Sequence, residues 1–296
     1  MSRSGALLRR VKILENKGRP GEALRELEDA CLADSNPALR AELGRLYLLT
    51  GKVHEAVRTL IVLQQQGNDM PGVLTMLAEA CLRTDDLRAA ERYANQAIQA
   101  DAADWHACYL LGEVYREQNG FDAAEQCYSR VLSLKPDHAQ AACLVGNMQK
   151  TQGRTAEAYA SYERAIDSDP GLSEAFWNMQ RLLPVVYDDE AQIHASRERY
   201  TAGLVRLQAS LDLESREARR RALRGLLAST NFYLQYQGLN DRELQCSYGG
   251  IVEAVMERCY PQWRKPLTIR PSSGGGKIRV GYCSAYLRDH NGANWV

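Results

Sequence analysis

The sequence predicts an all-α protein: a right-handed superhelix of helical hairpins, a further helical region, and one terminal β-strand. Three observations carry that prediction. A pattern of small and aromatic residues returns every 34 positions through the first half of the chain. Apolar residues at helical spacing continue past the last copy, to about residue 263. Only at Ile278, Val280 and Tyr282 does the pattern change to the alternation of a strand.

The repeat is plainest in residues 105–138, with Leu111-Gly112, Tyr115, Ala124, Tyr128 and Pro136. One period on, Gly146, Ala158, Tyr162 and Pro170 take the same places. One period back the copy carries Leu77-Ala78, Cys81, Ala90 and Ala97, and before that Leu43-Gly44, Tyr47, Ala56 and Leu63, with Ala97 and Leu63 in phase with Val131. A weaker, slightly offset copy begins near Ser4, with Leu14, Gly18, Ala23, Leu27 and Ala30. This spacing is the signature of the tetratricopeptide repeat, and five copies are assigned to residues 4–172. Small residues such as Gly112 and Ala124 let two helices approach closely, while Leu111, Tyr115 and Tyr128 fill the space to the neighbours. No single hairpin buries its own apolar face, so stacking is obligatory.

Such a stack exposes a concave groove lined by the first helix of each repeat. The residues expected there include Arg45, Glu79, Tyr109, Glu113, Asn147 and Lys150, with Thr75 and His106 beside them, and Asn178 in a partial sixth repeat. Their mixed charge suits an extended peptide held by hydrogen bonds, so acceptor proteins or peptides are the expected partners. The Lys-Asn arrangement with which some tetratricopeptide adaptors clamp a C-terminal carboxylate does not recur. The repeats also admit self-association into a homo-oligomer.

The totals exclude other classes. Lys+Arg and Asp+Glu are both 37, so no net field points to nucleic acid or an anionic membrane. No apolar run reads as a signal peptide or a bilayer span, and a cytoplasmic location is the simplest expectation. The eight cysteines form no CxxC pair, which favours reduced, buried thiols over a metal site.

A sixth repeat begins at Ser173 and fails at Leu183-Pro184, where proline breaks the helical bond pattern. Asp188, Asp189 and Glu190 then open a helix carrying Ile193, Tyr200, Leu204, Leu207 and Leu211; another is expected from about Glu214 to Tyr236, and a third from Asn240-Asp241. Residues 173–263 thus form a partial repeat and helical linker region. Arg216, Arg219, Arg220, Arg221 and Arg224 have Glu214 and Glu217 interleaved and read as a solvated face. Ser272-Ser-Gly-Gly-Gly-Lys277 precedes a strand, lacks the first glycine of a phosphate loop, and belongs to a Pro/Gly/Ser linker at 264–277.

Taken in order, the repeats, "LLPVVYDDEAQIHASRERYTAGLVRL", "TNFYLQYQGLNDRELQ" and "KIRVGYCSAYLRDH" resemble the protein O-linked N-acetylglucosamine transferase family, most closely its bacterial SPINDLY-like members. The resemblance implies that residues 278–296 open a Rossmann-like lobe of a GT-B catalytic region, and that His290 lies near sugar donor and acceptor. Asn294 stands where a second histidine is usual, and Tyr286 and Leu287 replace an Asp-Phe pair. The family's asparagine ladder falls here on Glu42, Met76, Leu110, Leu144 and Asn178, so only the last matches. The implied function is recruitment of protein substrates for transfer from UDP-GlcNAc or another nucleotide sugar to Ser or Thr. Residues 1–296 themselves are expected to hold no donor site and to be inactive alone. The alternative is a free-standing tetratricopeptide scaffold for protein–protein interaction.

Overall fold

The computed structural model describes residues 3–34, 36–67 and 72–264. The chain divides at Cys259 into two units, and the first contains all fourteen α-helices found among the described residues. Ten of them form five hairpins: α1 (Arg3–Asn16) with α2 (Pro20–Ala33), α3 (Pro37–Leu49) with α4 (Val53–Gln65), α5 (Val73–Arg83) with α6 (Leu87–Ala100), α7 (Trp105–Glu117) with α8 (Phe121–Leu134), and α9 (Ala139–Thr151) with α10 (Thr155–Ser168). Each helix packs on the next, and α1, α3, α5 and α7 also touch in series, as in a superhelical stack of tetratricopeptide repeats.

Local chemistry sets the helix ends. Asn36, Asp86, Asp104 and His138 cap α3, α6, α7 and α9 by accepting from a backbone N–H of the first turn. Between the two helices of a hairpin the chain turns through one left-handed residue: Gly51, Asp85, Asn119 and Gly153, 34 apart, all have positive φ, and Gly18 does so one position off register. In each case the N–H after that residue returns to a carbonyl five positions earlier, as Gly120 does to Tyr115 at 2.8 Å.

The hairpins close by setting small residues against large ones. A methyl group on Gly112 would lie 2.6 Å from the Tyr128 ring, and one on Gly146 would lie 2.8 Å from Tyr162. Both tyrosines are fully buried, within a core that includes Cys108, Ala124, Val131, Ala142 and Ala158. Tyr47 and Tyr115 pack against the cores on both sides of them, so apolar contact is continuous along the stack.

The sixth hairpin departs from the pattern. Its first helix, α11 (Ser173–Gln180), is shorter than the preceding inner helices and ends before Pro184. The next, α12 (Glu190–Ala209), is capped by Asp189 and starts 35 residues after α10 begins, so it stands in repeat register. Here the small residue is on the second helix: a methyl group on Gly203 would run into the Gln180 carbonyl. Two further helices follow, α13 (Arg216–Leu227) and α14 (Arg242–Cys259), separated by a 3-10 turn at Phe232–Gln237. The helix expected to run to Tyr236 therefore stops at Leu227, where Arg181 draws the Gly225 and Ser229 carbonyls inward at 2.9 and 2.8 Å. Trp177, Tyr200, Leu204, Leu226, Leu234 and Ile251 form the core of this region.

The second unit is described as far as Arg264, with a single 3-10 turn at Pro261–Arg264 and Tyr260 stacked on Trp263. The expected strand at 278–296 lies outside the described residues, among which no strand occurs.

Candidate peptide-binding groove

The inner helices α3, α5, α7 and α9 carry the expected groove residues, and the structure sorts them into two stretches. The first is a concavity of about 900 Å³ lined by Lys12, Arg45, Thr75, Glu79, Arg83, Asp104 and His106, among others. Arg45 is held between Glu42 at 2.7 Å and Glu15 of the preceding repeat at 2.6 Å. Glu79 pairs with Arg83 at 3.5 Å, and Arg83 donates to the Leu48 carbonyl at 2.7 Å. Thr75 donates to Asp104 at 2.5 Å. Charges on this floor are thus largely matched within the protein.

The second stretch is built on α7, α9 and α11. Tyr109 lies against the rings of Tyr128 (5.8 Å) and His138 (5.7 Å), and His138 also meets Trp105 at 5.1 Å. The Lys135 ammonium covers the Trp105 face at 4.6 Å. Burial, then Glu113, push the Tyr109 hydroxyl up to about 12, so it stays protonated. Tyr128 reaches across from the outer helix and donates to Glu113 at 2.6 Å, while Arg116 donates to the same carboxylate at 2.8 Å. One repeat later, Tyr162 donates to Asn147 at 2.8 Å, and Asn178 donates to the same oxygen at 3.0 Å.

Lys150 stands one turn from Asn147, partly buried, its pKa lowered to about 8 by burial and then by Arg181. Asn178 is buried, 2% exposed, so it serves the groove from beneath. Arg45 and Glu79 share the first stretch; Tyr109, Glu113, Asn147, Lys150 and Asn178 belong to the second. His290 lies outside the described residues. Sequence reasoning passed over Arg83, Asp104, His138 and Arg181. Asp104 and His138 carried a signal, since each directly precedes a helix and is a residue type that can cap one.

A separate cleft of about 1020 Å³ lies between the α9–α10 turn and the 184–188 loop, lined by Arg154, Tyr159, Val185, Val186 and Arg199 among others. Among the described residues, no group of His, Cys, Asp and Glu could hold a metal ion, and no helix is long and apolar enough to cross a membrane.

Helical hairpins stacked in series, each closing a small residue on a large one, have the architecture of tetratricopeptide repeats. The family model described as tetratricopeptide repeat matches residues 109–173. The human protein O-mannosyl-transferase TMTC1 is 28% identical over 172 residues, which is 56% of this chain and 20% of that protein. A TPR repeat-containing protein of Methanocaldococcus jannaschii is 37% identical over 60 residues, covering 20% of this chain and 18% of that one. The chain therefore spans about a fifth of the length of these curated relatives. The solved structure of MamA from Desulfovibrio magneticus RS-1 superposes with a TM-score of 0.51 at 16% identity, over 57% of this chain and 97% of that one, a likeness of fold.

Proposed function

We propose that this chain is the substrate-recruiting part of a protein O-glycosyltransferase. Its groove holds an extended segment of an acceptor protein, and residues 278–296 open the catalytic lobe that takes a sugar from UDP-GlcNAc or another nucleotide sugar to Ser or Thr. The observation that carries the recruiting role is the row of polar side chains along α3, α5, α7 and α9, each bonded to a neighbouring side chain. Groups fixed in advance lose little freedom when a ligand arrives, and a tethered acceptor reaches the catalytic site at raised effective concentration. The transferase role rests on the ordered resemblance of the segments after the repeats. A similar stretch occurs in a protein named as an O-mannosyl-transferase, matched over 20% of that protein's length.

The native polypeptide, immunopurified from source cells with antibody against the repeats, tests both roles. Incubated with radiolabelled UDP-GlcNAc or GDP-fucose and Ser/Thr peptides, it is expected to transfer label, and His290→Ala to abolish transfer while peptide binding persists. A native band near 33.2 kDa that binds peptide without transfer would overturn the transferase role and leave the scaffold. Failure to bind any peptide would overturn the recruiting role.

A further inference from the structure

The repeat makes two groove positions equivalent, and comparing them exposes an imbalance. On α7, Glu113 and Arg116 form an ion pair at 2.8 Å while Glu113 also takes the Tyr128 hydroxyl. Thirty-four residues on, Asn147 and Lys150 occupy those places on α9, and Asn147 takes the Tyr162 hydroxyl. The acid has become an amide that keeps the tyrosine bond, but the cation remains. No Asp or Glu among the described residues lies within ion-pair distance of Lys150.

The surroundings do not restore the balance. The charge that acts on Lys150 most strongly is Arg181, at the end of α11; the other group is the Cys143 thiol on its own helix. Burial pushes Cys143 up to about 12, so it carries no negative charge at neutral pH. Arg181 spends its hydrogen bonds on the carbonyls of Trp177, Gly225 and Ser229 and the Tyr248 hydroxyl, which leave its charge in place. Glu174, the acid of α11, is drawn to Arg224 at 3.6 Å. Asn147 and Asn178 contribute amides, and the buried Asn178 Oδ1 has no hydrogen-bond partner. Lys150 thus feels a second, buried cation, Arg181, and has no ion-pair partner among the described residues, an arrangement that a bound anion would relieve.

We propose that Lys150 binds the carboxylate of an Asp or Glu side chain in the extended partner segment, so that this part of the groove selects acidic sequences. The inference rests on the reading of the groove as a peptide site. An exposed lysine would keep its charge to high pH, but this one loses half its protonation near pH 8 in the free protein. Its grip on a carboxylate therefore weakens as pH rises from neutrality, whereas an arginine there would not titrate.

A positional-scanning array of extended peptides, probed with the full chain and with Lys150→Met and Lys150→Arg, tests this. Wild type is expected to prefer Asp or Glu to Asn or Gln at one peptide position by roughly tenfold at neutral pH, and to lose most of that preference at pH about 9.5. Lys150→Met should bind peptides without the preference, and Lys150→Arg should keep it at both pH values. Thermal melts check that each variant is folded. Peptide binding with no acidic preference in wild type, or an unchanged preference in Lys150→Met, would overturn the proposal while leaving the groove as a peptide site. Absence of any peptide binding would overturn both.

Discussion

A methyl group at Gly203 would sit 2.1 Å from the Gln180 carbonyl oxygen, whereas one at Gly112 would sit 2.6 Å from a Tyr128 ring atom. A ring can tilt; a carbonyl at the end of a packed helix moves only with its backbone. Gly203→Ala is therefore expected to cost about 3 kcal/mol and Gly112→Ala about 1 kcal/mol, compared by urea denaturation. Lys150 makes the second prediction at this scale. Its folded pKa, about 8, lies below the 10.5 of a free lysine, so the folded state is the one that disfavours the proton. Below pH 8 both states hold the proton and the cost of the buried charge is fully present. Between about 8 and 10.5 the unfolded chain holds more protons, and stability rises with pH. The difference in unfolding free energy between wild type and Lys150→Met should narrow across that window. An unchanged difference would mean the ammonium is solvated.

The turn between paired helices is the element in which the repeat is most regular and the sequence least so. Gly51 and Gly153 suit its left-handed residue, but Asp85 and Asn119 adopt φ of 63° and 60° at the same place. A side chain there costs on the order of 1 kcal/mol, reduced somewhat for Asn and Asp. Asn119→Gly and Asp85→Gly should each raise the urea midpoint, with a gain of about 0.5 kcal/mol. Equal or lower midpoints would show that the side chains stabilise the turn. The helices were legible because Gly112, Tyr128 and their counterparts recur in phase. These turns were less so, because a left-handed Asp or Asn looks like any other polar loop residue. In the groove, repeat arithmetic placed Glu113, Asn147 and Lys150 on inner helices. It could not say that Glu15, 30 residues before Arg45, would neutralise it, because partners across a repeat boundary depend on how hairpins stack. The early end of α13 was hidden for the same reason, since Arg181, 44 residues before Gly225, claims its carbonyl.

Across the first unit, Arg181 is a point at which the end of the repeats is fastened to α13 and α14. It sits over the rings of Trp177 and Tyr248 and bonds to α11, α13, the following loop and α14. Arg181→Met would leave the Gly225 and Ser229 carbonyls without that donor and is expected to cost about 3 kcal/mol. It should also separate one unfolding transition into two, read by calorimetry, because stacked repeats depend mainly on nearest neighbours. A single transition at lower temperature would show that packing around Trp177 suffices to couple the two regions.

The tyrosines that cross each hairpin have a consequence for measurement of length. Tyr128 and Tyr162 fix Glu113 and Asn147 at matching heights on successive inner helices. The inner helices α1, α3, α5 and α7 touch in series; helices so packed stand about 8–10 Å apart, and an extended strand advances about 3.3 Å per residue. A segment running along the inner face thus passes one rung for about every three of its own residues. The groove works as a ruler with that graduation, so inserting a single residue between two recognised side chains of a bound segment would put the second out of step with its rung.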